Sequence, residues 1–208
     1  MAIYGLAAAW RAMQLFDAVA VSVMLVAVAA SAIAADMISG VVHWIGDTWG
    51  EPDWPILGPA LIGPFREHHR DPLAIVRHDV FETNGTSALG ALVPLAGSLA
   101  CGAGSQTAGF AACFLLWLSI WLAATNQIHK WAHASRVPRL VEGLQRRRLI
   151  LDPGHHAIHH AEPFDRYYCI TGGWVNPLLQ RVRLFAGLER VVALLFGAVP
   201  RRDPERVG

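Results

Sequence analysis

TSALGALVPLAGSLACGAGSQTAGFAACFLLWLSIWLAATNQIHKWAH, residues 86–133, decides the fold. From 86 to 128 it holds no Lys, Arg, Asp or Glu, and a glycine-rich break, Cys101-Gly102-Ala103-Gly104-Ser105, divides it into two apolar halves. That pattern predicts a transmembrane hairpin with spans near residues 87–100 and 107–125. The first half is short and contains Pro94, which predicts a helix that is kinked or partly interfacial. Upstream, residues 18–35 are again uncharged. With the apolar residues before them they reach the roughly 20 positions a bilayer core requires, and residues 13–35 read as a first span. Ala32, Ala34 and Ala35 imitate a signal-peptide cleavage site, but Arg11 is the only basic residue before the apolar run, so the span is the better reading. Downstream, residues 182–199 are apolar yet carry Arg183, Glu189 and Arg190, which suits an amphipathic helix lying on a membrane surface.

Composition agrees. Of the residues 54% are hydrophobic and 16% charged, against roughly 45–50% and about 25% in soluble domains. The net charge is +1, so no electropositive surface is available to neutralise phosphates, and nucleic-acid binding is excluded. Cys101, Cys113 and Cys169 are odd in number and far apart, which predicts packing rather than a disulfide framework or a thiolate metal site. No repeat or long linker interrupts the chain, so residues 1–208 are expected to form one all-α integral-membrane domain. Of the 17 Lys and Arg, 13 follow residue 128, which places the C-terminal part, and everything sharing its side, in the cytoplasm. The compact chain without targeting signals points to a bacterial inner membrane.

All 10 histidines lie between His43 and His160, in four clusters that this topology gathers on the cytoplasmic face. In VVHWIGDTWG (41–50), His43 and Asp47 stand four residues apart, stacked on one helical face. PFREHHRDPLAIVRHD (64–79) supplies His68, His69 and His78. TNQIHKWAH (125–133) repeats the four-residue spacing with His129 and His133 where the hairpin leaves the bilayer. LDPGHHAIHH (151–160) adds His155, His156, His159 and His160 behind Asp152 and Pro153, an N-cap followed by a first helical position. Ten imidazoles are too many for one zinc, which takes three or four ligands, and two axial histidines per haem would leave most unused. They suffice for two metals, and nitrogen-rich sites with open positions suit redox iron. The residues therefore predict a dinuclear iron site using O2 at the membrane surface, with Asp47, and Glu82 or Asp79 as further candidates, as carboxylate ligand or imidazole partner. An oxidant able to attack an unactivated C–H bond must be kept from water, and against apolar helices the natural substrate is a lipid chain.

Other groups near the clusters invite a role. Trp44, Trp49 and Trp54 predict an interfacial tryptophan belt more than a lipid slot. Arg146, Arg147 and Arg148 read as a topology-setting charge cluster more than as a phosphate-headgroup site, and Tyr167, Tyr168 and Cys169 follow the last cluster closely enough to buttress it, a position that simple burial explains equally well.

Four strings carry a family likeness: ADMISGVVHWIGDTWG (35–50), PFREHHRDPLAIVRHDVFETNG (64–85), TNQIHKWAH (125–133) and HHAIHHAEPFDRYYCITGGWVNP (155–177). They resemble the Kua family, which includes the plasmanylethanolamine desaturases, over residues 35–177. The resemblance implies a membrane desaturase with two iron ions that converts a 1-O-alkyl ethanolamine phospholipid into its 1-O-alk-1'-enyl form, consuming O2 and two electrons from a cytochrome b5-like or ferredoxin-like donor. Carried over residue by residue, it implies metal ligation by His43, Asp47, His68, His69, His78, His129, His133, His155, His156, His159 and His160. Relatives in this family are drawn with a further hydrophobic segment before the first span, whereas Ile3 to Ala9 is too short to cross. A plant branch of the family makes an acyl-lipid desaturase acting on phosphatidylglycerol a competing expectation. A membrane protein that merely stores or senses metal is the competing one from outside enzymes.

Overall fold

Helices are the only regular elements among residues 2–201, which the computed structural model describes. In chain order they are α1 (Ala2–Ala18), α2 (Val21–Thr48), α3 (Gly63–Arg70), α4 (Ala74–Arg77), α5 (Val80–Ala100), α6 (Gln106–His133), α7 (Arg139–Arg146), α8 (Pro153–Ala157), α9 (Asn176–Arg181) and α10 (Leu184–Phe196). A π-helical turn, Gly58–Ile62, leads directly into α3. Two helices, α2 and α6, are long and apolar enough to cross a membrane, at 28 residues each. At 1.5 Å per residue each measures about 42 Å, more than the roughly 30 Å of a hydrocarbon core, so their last turns have length to spare.

The first apolar stretch is not one helix over residues 13–35. The chain bends at Val19 and Ala20, between α1 and α2. Val19 seats that bend against α6, where a Cβ on Gly109 would meet its Cγ2 at 2.7 Å. Moreover α2 does not end where charge begins. Asp36 is wholly buried within it, satisfied by backbone amides, so the helix carries on for 13 residues past the expected exit at residue 35. Likewise α5 begins at Val80, ahead of the hairpin's expected start, and α6 runs to His133.

The chain divides into two compact units. The first, Met1–Ala35 with Val80–Gln127, packs α1, the start of α2, α5 and most of α6 around Leu15, Val19, Ala27, Leu95, Ala112 and Leu116. Small residues let the helices close up, and hydroxyls tie them together: Tyr4 Oη lies 2.8 Å from Ser119 Oγ, which donates to the Ala91 carbonyl at 2.7 Å. Ser98 Oγ donates to the Ala112 carbonyl at 2.7 Å, and buried Arg11 donates to the Cys101 carbonyl at the hairpin turn.

The second unit, Asp36–Asp79 with Ile128–Gly208, contains all ten histidines. Its core joins Trp44, Tyr168, Cys169, Val175, Leu179 and Phe185. Trp44 is therefore no part of an interfacial belt. It is 5% exposed, edge-on to Trp49 and donating from Nε1 to Glu189 at 3.4 Å, because α10 covers this face of α2. Trp54 does stand exposed. Helix α10 is two-sided: Phe185 and Glu189 point inward, whereas Leu194, Leu195 and Phe196 are exposed.

Candidate metal centre

Asp36 builds the scaffold on which the histidines are held. Its Oδ1 accepts the amides of Gly172 and Gly173, both at 2.8 Å, and its Oδ2 accepts that of Val175 at 3.1 Å. One turn on, Ser39 Oγ accepts the amide of Ile170 at 3.1 Å. Asn176 closes the same loop internally, its Oδ1 accepting the Cys169 amide at 2.9 Å and its Nδ2 donating to the Cys169 carbonyl at 3.0 Å. The loop can lie this close because residue 40 is glycine: a Cβ there would sit 2.4 Å from Cys169 Sγ. Gly46 serves α3 similarly, since its Cβ would stand 2.7 Å from the Phe65 ring.

With the loop and α3 seated against α2, four residues form one group: His43 and Asp47 from α2, His69 from α3, and His159 just after α8. Asp47 Oδ2 lies 3.1 Å from His69 Nε2 and 3.4 Å from the Nε2 atoms of His43 and His159. His43 Nδ1 is 3.0 Å from the Tyr168 carbonyl and His159 Nδ1 is 2.8 Å from the Arg166 carbonyl. A carbonyl only accepts, so each Nδ1 carries the proton and donates it, leaving the Nε2 lone pair turned toward Asp47.

Five imidazoles form a second group: His68 from α3, His129 and His133 from α6, His156 from α8, and His160 beyond it. His156 Nε2 is the hub, 2.8 Å from His129 Nε2, 2.8 Å from His133 Nε2 and 3.0 Å from His160 Nε2. His68 stands beside them with ring centroids 4.5 Å from those of His129 and His133. Three nitrogens aimed at one cannot all be hydrogen-bonded pairs, because a neutral imidazole has one N–H and one lone pair. Both nitrogens of His68 and the Nδ1 atoms of His69, His156 and His160 are buried without a partner. Burial and the neighbouring rings push His68 and His156 far below the ordinary imidazole range and His160 down to about 2, so all three are neutral, the form that binds metal.

Within each group the ligand atoms lie inside 4.8 Å of one another, which fits donors on opposite sides of an ion at about 2.0–2.1 Å each. Five nitrogens exceed tetrahedral zinc's four, and the donor set of the two groups suits iron. The groups adjoin: rings of His69 and His160 are 5.1 Å apart, and those of His159 and His160 5.3 Å. Neighbours in sequence feed different groups: His68 and His69 separate because side chains on consecutive helical residues point about 100° apart. His159 and His160, in the turn that follows α8, separate as well.

Nine of the eleven expected ligands are brought together; His78 and His155 are not. His155 faces the loop: its Nε2 accepts from Asn176 Nδ2 at 3.1 Å and its ring lies 4.9 Å from that of Tyr167. Only its amide serves the expected N-cap, donating to Asp152 at 2.9 Å. His78 ends α4, and its carbonyl accepts from Lys130, next to His129. Asp79 and Glu82 are exposed and outside both groups. Asp36, Ser39, Gly40, Gly46 and Asn176 were not picked out by sequence reasoning. Only Asp36 left a signal, a charge inside an otherwise apolar helical run.

Residues 32–203 match the lipid desaturase domain. The chain is 48% identical over 180 residues to plasmanylethanolamine desaturase of Myxococcus xanthus, covering 86% of this chain and 64% of that protein. It is 44% identical over 187 residues to plasmanylethanolamine desaturase 1 of Mus musculus, covering 86% and 69%. Fatty acid desaturase 4, chloroplastic, of Arabidopsis thaliana is 32% identical over 184 residues, covering 81% and 51%. The chain thus spans about two thirds of the length of the first two relatives and about half of the plant one. No solved structure matches it.

Proposed function

The chain belongs to the lipid desaturase family, and on that premise we propose that it is an integral-membrane desaturase of ether phospholipids, carrying its metal groups on the cytoplasmic side of a bacterial inner membrane. The reaction is oxidation of the 1-O-alkyl chain of an ethanolamine phospholipid to a 1-O-alk-1'-enyl chain. One O2, two electrons and two protons enter, and two waters leave. The observation that carries this reading is the pair of adjoining buried ligand groups, five imidazoles beside three imidazoles and Asp47. Two iron ions, one held by each group, would supply the reduction of O2 and the oxidising strength to remove hydrogen from an unactivated C–H bond.

The chain's own residues position and shield. The Tyr168 and Arg166 carbonyls set two imidazoles in the tautomer and orientation that ligation requires. Phe65 lies against the His43 ring at 4.7 Å and Phe164 against the His69 ring at 5.2 Å, excluding water from that side. Asp47 brings the single negative charge among the nine, offsetting part of the charge of bound cations. The ether phospholipid reaches the site from the bilayer, and electrons come from a separate cytochrome b5-like or ferredoxin-like donor.

The test is lipid analysis of plasmalogen-free cells expressing the chain, with its iron loading checked, and fed an alkylglycerol. Ether phospholipids two hydrogens lighter than their precursor and destroyed by mild acid support vinyl-ether formation. A new acyl double bond instead would move the substrate to acyl lipids, the activity in the name of the plant relative. Reversible metal binding without any lipid product would leave a metal-storing or metal-sensing protein.

A further inference from the structure

Outside the metal groups, the second unit holds a cavity of about 310 Å³ lined by Asp165, Gln180, Arg183, Phe185, Glu189 and Arg190 among others. That is the lower end of the range for small-ligand pockets, about 300–1,000 Å³. Arg183 and Arg190 are exposed, and among the described residues neither guanidinium makes a hydrogen bond or ion pair. Glu189, on the same helix as Arg190, is 5% exposed and takes the Trp44 N–H. Asp165 Oδ1 stands 4.0 Å from Arg166 Nε, so the lining brings two exposed guanidiniums to a cavity that also holds two carboxylates with protein partners of their own. The rest of the lining is apolar: Leu179, Phe185, Ala186, Ala193 and Pro200. A ligand that is polar at one end and greasy at the other fits both parts.

Phe185 ties the cavity to the metal groups. Its ring is 4.9 Å from that of Tyr168, which stands 5.2 Å from the ring of His159. One aromatic layer therefore separates the cavity wall from a ligand imidazole. In a glycerophospholipid the phosphate and the first carbons of the sn-1 chain are only a few bonds apart, so a headgroup here leaves those carbons near the histidines.

We propose that this cavity binds the phosphoethanolamine headgroup of the lipid substrate, the phosphodiester on Arg183 and Arg190 and the ammonium on Asp165 and Glu189. The proposal rests on the desaturase reading above and names its substrate determinant. Guanidinium is the side chain best shaped for a phosphate's oxygens. A primary ammonium offers three N–H donors to the carboxylates, whereas choline offers none and a glycerol headgroup has no positive charge.

The test begins with native mass spectrometry of the iron-loaded full chain released from nanodiscs of equal phosphatidylethanolamine, phosphatidylcholine and phosphatidylglycerol. The wild type retains phosphatidylethanolamine in preference. R183Q/R190Q, which removes two exposed groups without protein partners, lowers retention of every phospholipid by roughly tenfold or more. D165N keeps lipid but loses the preference for ethanolamine over choline. Unselective retention by the wild type, or variants that behave as wild type, overturns the proposal. Kinetics then separate two sources of the same headgroup. A KM for plasmanylethanolamine raised about tenfold in R183Q/R190Q, with kcat kept, marks the substrate's own headgroup. Lost retention with unchanged KM marks a resident bilayer lipid and overturns the assignment to substrate. Selective retention by a wild type that makes no vinyl ether would end the desaturase reading while leaving a headgroup site in place.

Discussion

Around Asp47, two of the three imidazoles have Nδ1 anchored on backbone carbonyls, those of Tyr168 and Arg166. Around His156 the imidazoles lean on one another: His156 and His160 leave Nδ1 without any partner, and the Nε2 atoms crowd to 2.8–3.0 Å. One group is set by a loop pinned to α2, the other by the spacing of residues along helices. The first carries a carboxylate and the second only neutral nitrogens. On the proposed two-iron reading, metal in the two groups should therefore respond differently to the same kind of damage.

The hardest test removes the hub of each group. Asp47→Ala and His156→Ala should each abolish turnover and lower bound iron from about two per chain toward one, as measured by metal analysis. Loss of both irons from either variant would show that the groups fill as one unit and end the contrast. Next in size is Asp36→Asn, which weakens three charge-assisted hydrogen bonds at once. It should cost roughly 2–4 kcal/mol, a fall in Tm on the order of 10 °C, with iron lost first from the Asp47 group. Equal iron loss from both groups would mean that the loop serves them alike. Gly40→Ala should cost about 1–3 kcal/mol by pressing on Cys169, and adding Cys169→Ala should return part of it in a double-mutant cycle. The smallest effect belongs to His155→Ala: two irons kept, with stability lower by about 1 kcal/mol through the lost contact to Asn176. Loss of an iron in that variant would extend the ligand set beyond the nine.

The all-helical fold was legible because uncharged runs around Ala27 and Leu116 have few alternatives, but the ends of those helices were not. Charge was read as the edge of the apolar region, and Asp36 shows why that fails: a carboxylate given three amides by a loop more than 130 residues away can stay buried in a helix. The histidines were legible as a set because their doublets and four-residue spacings are local. Their division into two groups was not, since it depends on where α3 and the turn after α8 come to lie against His43 and Asp47 on one side and His129 and His133 on the other. His155 shares the spacing of its neighbours and differs only in meeting Asn176 first, a contact written nowhere in its own cluster. Gly40 and Gly46 look like any glycines in an apolar helix until Cys169 and Phe65 arrive against them.

The amides that satisfy Asp36 belong to residues 172–175. During synthesis α2 is made long before them, so the carboxylate can be sealed away from water only after residues 172–175 have emerged from the ribosome. A chain stopped short of that point keeps an ion that burial penalises heavily, and the carbonyl that steers His43 has nothing to hold it in place. A chain lacking residues 172–175 should therefore take up less metal and be cut faster by protease than the full chain.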